Sequence, residues 1–155
     1  MKRILVVDDE EDILGLLSEL LQRWGFEADT VTNGREALER FRGRDFDLVL
    51  TDLKMPDMDG LELLRRIREE NPRVPVLMLT GFPTVDSAVQ AIQEGAYDYL
   101  IKPINPEELR FRIQKALAQS EQMRSLGFLK GLNWALLISI PVWLLLGILL
   151  AKTLR

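Results

Sequence analysis

Five polar residues follow short apolar runs of the sequence, where their side chains could act together. They are three carboxylates, a hydroxyl and an amine: Asp8, Asp9, Asp52, Thr80 and Lys102. Clustered carboxylates repel unless a divalent cation lies among them, and an all-oxygen ligand set favours Mg²⁺. An ammonium and a hydroxyl beside that ion suit the oxygens of a phosphoryl group. Asp52 could itself accept that group and become an aspartyl phosphate.

The apolar runs that precede these residues predict strands buried on both faces of a sheet. These runs are residues 4–7, 48–50, 76–79 and 99–101, and a more polar strand at 26–31 suits a sheet edge. Between the strands, apolar residues recur with helical spacing in five stretches, which begin at Ile13, Ala37, Leu61, Val85 and Leu109. The alternation predicts an α/β fold, a doubly wound parallel sheet with helices on both faces. Such folds bind ligands at the carboxyl ends of the strands, so the five polar residues are predicted to converge.

Composition excludes several kinds of chemistry. The chain contains no histidine, which rules out Ser-His and Cys-His nucleophile pairs and requires any phosphohistidine donor to be another molecule. It contains no cysteine, which rules out thiolate chemistry and disulfides. The net charge of −4 argues against nucleic acid as a partner, because phosphate binding needs a basic face. The short apolar run after Met1-Lys2-Arg3 is too brief for a signal peptide, so we expect a cytoplasmic body.

Four segments of the chain resemble the receiver domain of two-component response regulators: ILVVDDE, DLVLTDLKMPDMDG, LMLTG and GAYDYLIKP. The resemblance covers residues 2 to about 120 and implies a flavodoxin-like (βα)5 fold with strand order 2-1-3-4-5. It implies that Asp52 is the phosphoacceptor and that Asp9, Asp52 and the backbone carbonyl of Lys54 ligate Mg²⁺ directly. Asp8 would hold metal-bound water. The stretch LTGFPTVDSAVQAIQEGAYDYLIKP is similar to receivers that precede an enhancer-binding ATPase.

The same resemblance implies a switch and a phosphoryl donor. Thr80 would be the switch hydroxyl, Tyr99 the switch aromatic, and Lys102 the phosphate-contacting base, followed by a cis bond to Pro103. Phosphorylation would draw Thr80 toward the phosphoryl group and let Tyr99 turn inward, which changes the face formed by the fourth and fifth helices. The donor would be a sensor histidine kinase or a phosphotransfer protein. The chain would assist only its own phosphorylation and dephosphorylation, and would not be an enzyme with a free substrate.

An enzyme alternative uses the same side chains. Phosphatases and phosphotransferases of the haloacid dehalogenase type also combine Asp, Thr, Lys and Mg²⁺. Their nucleophile follows the first strand in an Asp-x-Asp pattern, whereas the first strand here ends in the adjacent pair Asp8-Asp9. A further alternative keeps the receiver but makes it a phosphate sink or docking scaffold for a membrane kinase.

Residues 131–151 contain no charged side chain, and none of the 24 acidic residues lies beyond residue 125. A helix over this stretch would be about 30 Å long, which matches the hydrocarbon core of a bilayer. Trp134, Lys130 and Lys152 lie where interfacial residues are common. We therefore expect a receiver over 1–120, a linker over 121–130, a transmembrane helix over 131–152 and a tail over 153–155. The helix would stand in place of the usual output domain.

The expected orientation places the receiver on the cytoplasmic side of a bacterial inner membrane, because more basic residues precede the apolar stretch than follow it. A lipid bilayer and a membrane protein then join the expected partners. Small residues at every fourth position would suit a homodimer through the membrane helix: Gly131, Ala135, Ser139, Gly147 and Ala151. A homodimer through the receiver face is the other alternative, and the sequence does not choose between them.

Overall fold

The computed structural model describes residues 1–123, in which strands and helices alternate. The strands are β1 (Arg3–Val7), β2 (Glu27–Val31), β3 (Leu48–Asp52), β4 (Val76–Thr80) and β5 (Asp98–Ile101). The helices are α1 (Glu11–Arg23), α2 (Gly34–Gly43), α3 (Gly60–Glu70), α4 (Val85–Gln93) and α5, which begins at residue 106 and is described through residue 123. Each strand and helix predicted from the sequence is present, with small differences at the ends.

The predicted membrane-spanning helix over 131–152 and the tail over 153–155 lie outside the described residues. The first residues of the predicted linker, 121–123, are still helical and belong to α5. Within residues 1–123, no helix combines the length and the apolar character needed to cross a membrane.

The sheet has the order β2-β1-β3-β4-β5, and each neighbouring pair is parallel. This is the predicted flavodoxin-like order. The central strands β3 and β4 are buried along their whole length, which accounts for their continuous apolar sequences. In β2, at one edge, only Val31 is buried, so polar residues are tolerated there.

Successive residues of each strand point to opposite faces of the sheet and build two separate cores. Leu5 and Val7 of β1 pack on one face with residues of α2, α3 and α4, including Leu64. Ile4 and Val6 pack on the other face with residues of α1 and α5. The helices of both faces thereby fix the positions of the strand ends.

Helix α4 is attached to the sheet less extensively than the other described helices. Ala91 is its only buried residue, while Val85, Val89 and Ile92 form an exposed apolar stripe. The helix begins with a capping box, in which the Thr84 side chain accepts the Ser87 N–H. Because burial contributes little here, the contacts at the two ends of α4 largely determine how it is held.

The carboxyl end of α4 is held by Arg68 of α3. The Arg68 guanidinium donates to the main-chain carbonyl of Gly95 from two nitrogens, at 3.0 and 2.8 Å, and to that of Val74 at 2.7 Å. A longer bond of 3.4 Å reaches the carbonyl of Asn71. Burial lowers the pKa of Arg68. One cation thus joins the carbonyl-rich ends of α3 and α4, where helix dipoles favour positive charge.

Candidate functional site

The strand registers bring the predicted polar residues to one edge of the sheet. Val7 pairs with Thr51 and Thr80 pairs with Ile101, so the residues that follow these positions emerge side by side. Asp8 and Thr80 are fully buried, and Asp52 is 6% exposed. Buried carboxylates need a compensating partner, which identifies this edge as the chemically unusual part of the described chain.

Three carboxylates meet at this edge. Ligand oxygens of Asp8, Asp9 and Asp52 all lie within 4.8 Å of one another, and Asp9 is the exposed member of the set. Hard oxygen ligands at this spacing fit a divalent cation such as Mg²⁺, which commonly keeps several waters and binds one or two carboxylates. The convergence predicted from the sequence is therefore observed. A metal contact by the Lys54 carbonyl stays a prediction.

Lys102 is the cation that faces this cluster. Its ammonium lies 2.7 Å from Asp8 Oδ2, 3.5 Å from Asp52 Oδ2 and 3.4 Å from Glu10 Oε1. The Lys102 N–H donates to the Thr80 carbonyl at 2.8 Å, which fixes the start of the side chain. The Lys102–Pro103 bond is cis, as the resemblance implied. Glu10 was not predicted as a partner, although its place beside Asp8 and Asp9 could have suggested it.

Burial and charge shift the pKa values of the two central groups. Burial raises the pKa of the Asp52 carboxyl, the positive charge of Lys102 opposes that change, and the negative charge of Asp8 adds to it. Burial alone would lower the pKa of Lys102, but its hydrogen bond to Asp8 and the charges of Asp52 and Asp8 outweigh this, and the pKa is raised. Lys102 is therefore a fixed positive charge at neutral pH.

The main chain around Asp52 fixes the direction of its carboxylate. Asp52 Oδ1 accepts the Leu53 N–H at 2.7 Å, so Oδ2 is the oxygen near Lys102. The Gly60 N–H donates to the Leu53 carbonyl at 2.9 Å and brings the start of α3 against the end of β3. A Cβ atom at Gly60 would collide with the Asp52 carbonyl oxygen. This crowding explains why glycine stands at that position.

Two exposed side chains meet beside the acidic cluster. The Lys54 ammonium lies 4.8 Å from the centre of the Phe82 ring, which is a cation–π distance. Lys54 is two residues after Asp52, and Phe82 is two residues after Thr80. The contact therefore joins the loop after β3 to the loop after β4. The sequence did not indicate that these two side chains touch.

The two predicted switch residues have separate hydrogen-bond partners. Thr80 Oγ1 accepts the Phe82 N–H at 3.1 Å. Tyr99 is half-buried, and its hydroxyl lies 2.9 Å from Ser87 Oγ in the first turn of α4. Ser87 was not singled out from the sequence, because a serine near a helix start usually serves the cap alone. Its side chain here also connects Tyr99, the predicted switch aromatic, to α4.

A flavodoxin-like sheet with clustered carboxylates and a facing lysine at its strand ends defines a class of α/β phosphoacceptor proteins. Residues 4–114 match the response regulator receiver domain, and the chain belongs to that family. The sequence is 44% identical over 122 residues to the transcriptional regulatory protein ZraR of Klebsiella oxytoca, covering 79% of this chain and 28% of that protein. The chain thus spans less than a third of the length of this curated relative.

Solved receiver structures agree with this assignment. The beryllofluoride-activated receiver domain dimer of NtrC4 superposes with a TM-score of 0.75 at 40% identity, covering 77% of this chain and 99% of that one. The response regulator TrrA of Thermotoga maritima, solved with Mg²⁺ and BeF, superposes with a TM-score of 0.70 at 40% identity, covering 75% and 99%. Family membership favours the receiver over the haloacid dehalogenase alternative. Receiver domains are phosphorylated on Asp and bind Mg²⁺ at an acidic pocket such as the Asp8, Asp9 and Asp52 cluster.

Proposed function

We propose that Asp52 accepts a phosphoryl group from a sensor histidine kinase or a phosphotransfer protein, and that the modified receiver signals to a partner. The observation that carries the proposal is the position of Asp52 Oδ2, 3.5 Å from the Lys102 ammonium inside a cluster of three carboxylates. Asp52 Oδ2 forms the new bond to phosphorus as the phosphorus–nitrogen bond of the donor phosphohistidine breaks. The imidazole leaves with the electron pair.

The residues of the pocket have different roles in this transfer. Asp8, Asp9 and Asp52 would hold Mg²⁺, which supplies positive charge for the phosphoryl oxygens. Lys102 adds a second fixed positive charge, and Asp8 orients it through the 2.7 Å contact. The Thr80 hydroxyl oxygen accepts the Phe82 N–H, and its own proton can be donated to a phosphoryl oxygen. The chain contributes positioning and charge to its own modification and turns over no other substrate.

The output follows from the two switch residues. Movement of Thr80 toward the phosphoryl group vacates space beside β4, and Tyr99 turns into it. This rearrangement alters the face of α4 and α5, which carries the exposed side chains of Val85, Val89, Ile92 and Phe111. A partner protein or a second copy of the chain would read this face. The dimeric NtrC4 receiver gives a precedent for the second copy.

Residues 131–152 would tether the receiver to a bacterial inner membrane as a single-pass helix, with the receiver in the cytoplasm. Support comes from the uncharged stretch 131–151 and from the basic residues Lys130 and Lys152 at its ends. Confinement to the membrane raises the effective concentration of the receiver near membrane partners, including a membrane kinase.

One experiment tests both parts of the proposal. The full chain and a chain that ends at residue 123 are fractionated into membrane and soluble pools, then incubated with phosphorylated histidine kinases. We expect only the full chain in the membrane pool and phosphoryl transfer to both chains, abolished in each by Asp52→Asn. A full chain in the soluble pool would contradict the tether. Phosphorylation that survives Asp52→Asn would contradict the assignment of the phosphoacceptor.

A further inference from the structure

The two ends of α4 are held by contacts of very different strength. At the carboxyl end, Arg68 binds the Gly95 carbonyl twice, and Arg65 pairs with Glu94 at 2.8 Å. At the amino end, Tyr99 of β5 and Ser87 of the first turn share a neutral hydrogen bond of 2.9 Å. Charge-assisted hydrogen bonds are about twice as strong as neutral ones, so the amino end is the weaker attachment.

Ser87 has more potential partners than its hydroxyl can serve. Its Oγ lies 3.2 Å from the Thr84 nitrogen, 2.8 Å from Thr84 Oγ1, 3.0 Å from the Thr84 carbonyl and 2.9 Å from the Tyr99 hydroxyl. A serine hydroxyl offers one proton and two lone pairs. When Tyr99 leaves, Ser87 therefore remains satisfied by the helix cap. The hydrogen bond to Tyr99 can therefore break without leaving a polar group of α4 unpaired.

We propose that Ser87 is a positioning residue that restrains Tyr99 in its unphosphorylated position, and that it sets the threshold at which the receiver switches. The inference rests on the proposed function, in which Tyr99 turns inward after phosphorylation of Asp52. A change of Tyr χ1 rotamer moves the hydroxyl by several ångströms, which is farther than a hydrogen bond can follow. Tyr99 already packs against the core on the α3 and α4 side of the sheet, and a further inward turn by a change of χ1 rotamer would break its bond to Ser87.

This restraint couples the site to one end of α4. Loss of the bond frees the first turn of the helix from β5, while Arg68 keeps the carboxyl end in place. The helix can then pivot about its carboxyl end, which carries the exposed Val85 and Val89 with it. One neutral hydrogen bond thus links the affinity of the pocket for a phosphoryl group to the position of this apolar stripe.

The test measures the affinity of the full chain, in detergent micelles with Mg²⁺, for beryllofluoride as the phosphoryl mimic. Ser87→Ala removes the restraint and is expected to tighten binding by about three- to tenfold, the range that one neutral hydrogen bond provides. In a Tyr99→Phe background, which already lacks the bond, the same Ser87→Ala change is expected to have no effect. Ser18→Ala is the matched control, because Ser18 Oγ accepts an exposed hydrogen bond from Gln22 of the same helix, α1, at 3.2 Å.

A second readout follows Tyr99 directly. The chain contains two tyrosines, so 3-fluorotyrosine in a Tyr97→Phe background reports on Tyr99 alone. Without beryllofluoride, Ser87→Ala should shift the ¹⁹F resonance of Tyr99 toward its beryllofluoride-bound position. Unchanged affinity and resonance in Ser87→Ala, or an equal effect in the Tyr99→Phe background, would overturn the inference. Absence of beryllofluoride binding by the unmodified chain would instead overturn the proposed function as well.

Discussion

The Lys102 ammonium lies 2.7 Å from the Asp8 carboxylate, although the residues are 94 positions apart and β3 and β4 separate their strands. The long lysine side chain spans the ends of both intervening strands and passes Asp52 on the way. One ammonium therefore faces the carboxylates of Asp8, Asp52 and Glu10. The pocket retains excess negative charge, and its stability depends on cations.

Removal of one charge should stabilise the pocket when Mg²⁺ is absent. Burial raises the pKa of the Asp52 carboxyl in the folded chain above its value in the unfolded chain, so ionisation of Asp52 opposes folding. The protonated carboxyl therefore stabilises the folded chain at low pH. This contribution is lost as the pH rises from the unfolded pKa to the folded pKa. Above that window, we expect Asp52→Asn to increase the free energy of unfolding, because the variant has no buried carboxylate to ionise. Denaturation in EDTA measures the change.

Mg²⁺ should reverse the order of stability of the unmodified chain and Asp52→Asn. Because a ligand that binds only the folded state stabilises it, the metal should raise the melting temperature of the unmodified chain and much less that of Asp52→Asn. Asp57→Asn is the matched control in the same loop: Asp57 is exposed, and its positive φ of 67° is readily adopted by Asn. Equal Mg²⁺ responses in the unmodified chain and Asp52→Asn would argue against the metal site.

Gly60 and Gly15 should respond to alanine in opposite directions. A Cβ at Gly60 meets the Asp52 carbonyl and lies 3.0 Å from Leu53 Cα, so Gly60→Ala must displace the main chain beside Asp52, the proposed phosphoacceptor. We expect a loss of about 2–4 kcal/mol of stability. Gly15 lies inside α1 with nothing within 4 Å, so Gly15→Ala should gain about 0.5–1 kcal/mol. Urea denaturation distinguishes the two, and a tolerated Gly60→Ala would show that the loop after β3 is not tightly fixed.

Phe82 should slow hydrolysis of the aspartyl phosphate. Its ring and the Lys54 ammonium meet at 4.8 Å, and both residues are two positions after a residue of the pocket, so we expect them to obstruct the approach of water. We expect Phe82→Glu to shorten the lifetime of the phosphorylated chain several-fold, measured by loss of ³²P after removal of the donor. Leu16→Glu introduces the same charge at an exposed apolar residue of α1, outside the face of α4 and α5, and should leave the lifetime unchanged. An unaltered lifetime in Phe82→Glu would refute the obstruction.

Arg68 should contribute more to stability than its neighbours on α3. Arg68→Met leaves the carbonyls of Val74 and Gly95 without their donor, and we expect a cost of about 2 kcal/mol. Arg66→Met, which removes an exposed pair with Glu62 at 2.9 Å, should cost less than about 0.5 kcal/mol. Hydrogen exchange should also rise at the carboxyl end of α4 in Arg68→Met alone. Similar costs for both variants would show that Arg68 is not a structural anchor.

The features that could be predicted from the sequence are those that depend on short-range patterns of apolar and polar residues. Continuous apolar runs indicated β3 and β4, the polar character of β2 placed it at an edge, and strand ends then located Asp52 and Lys102. In a parallel sheet the carboxyl ends of all strands lie at the same edge, whatever the details of side-chain packing. The convergence of these residues could therefore be predicted from the strand order alone.

The contacts that the sequence did not indicate are those between side chains from distant segments. Tyr99 could have met several residues of α4, and only the three-dimensional fit selects Ser87. Arg68 resembles any solvated arginine of an amphipathic helix, because its partners are carbonyls that every residue possesses. Glu10 is likewise one of five consecutive acidic residues in the sequence, and only the structure shows that the Lys102 ammonium reaches it.

The Arg68 anchor has a consequence for how this receiver can diversify. Arg68 binds oxygen atoms of the main chain, so no side chain of α4 is required for the anchor. Substitutions at exposed positions such as Val85, Val89 or Ile92 can therefore alter which partner is recognised while the helix keeps its point of attachment. Partner recognition can thus change at these side chains without altering the main-chain contacts that hold the carboxyl end of α4.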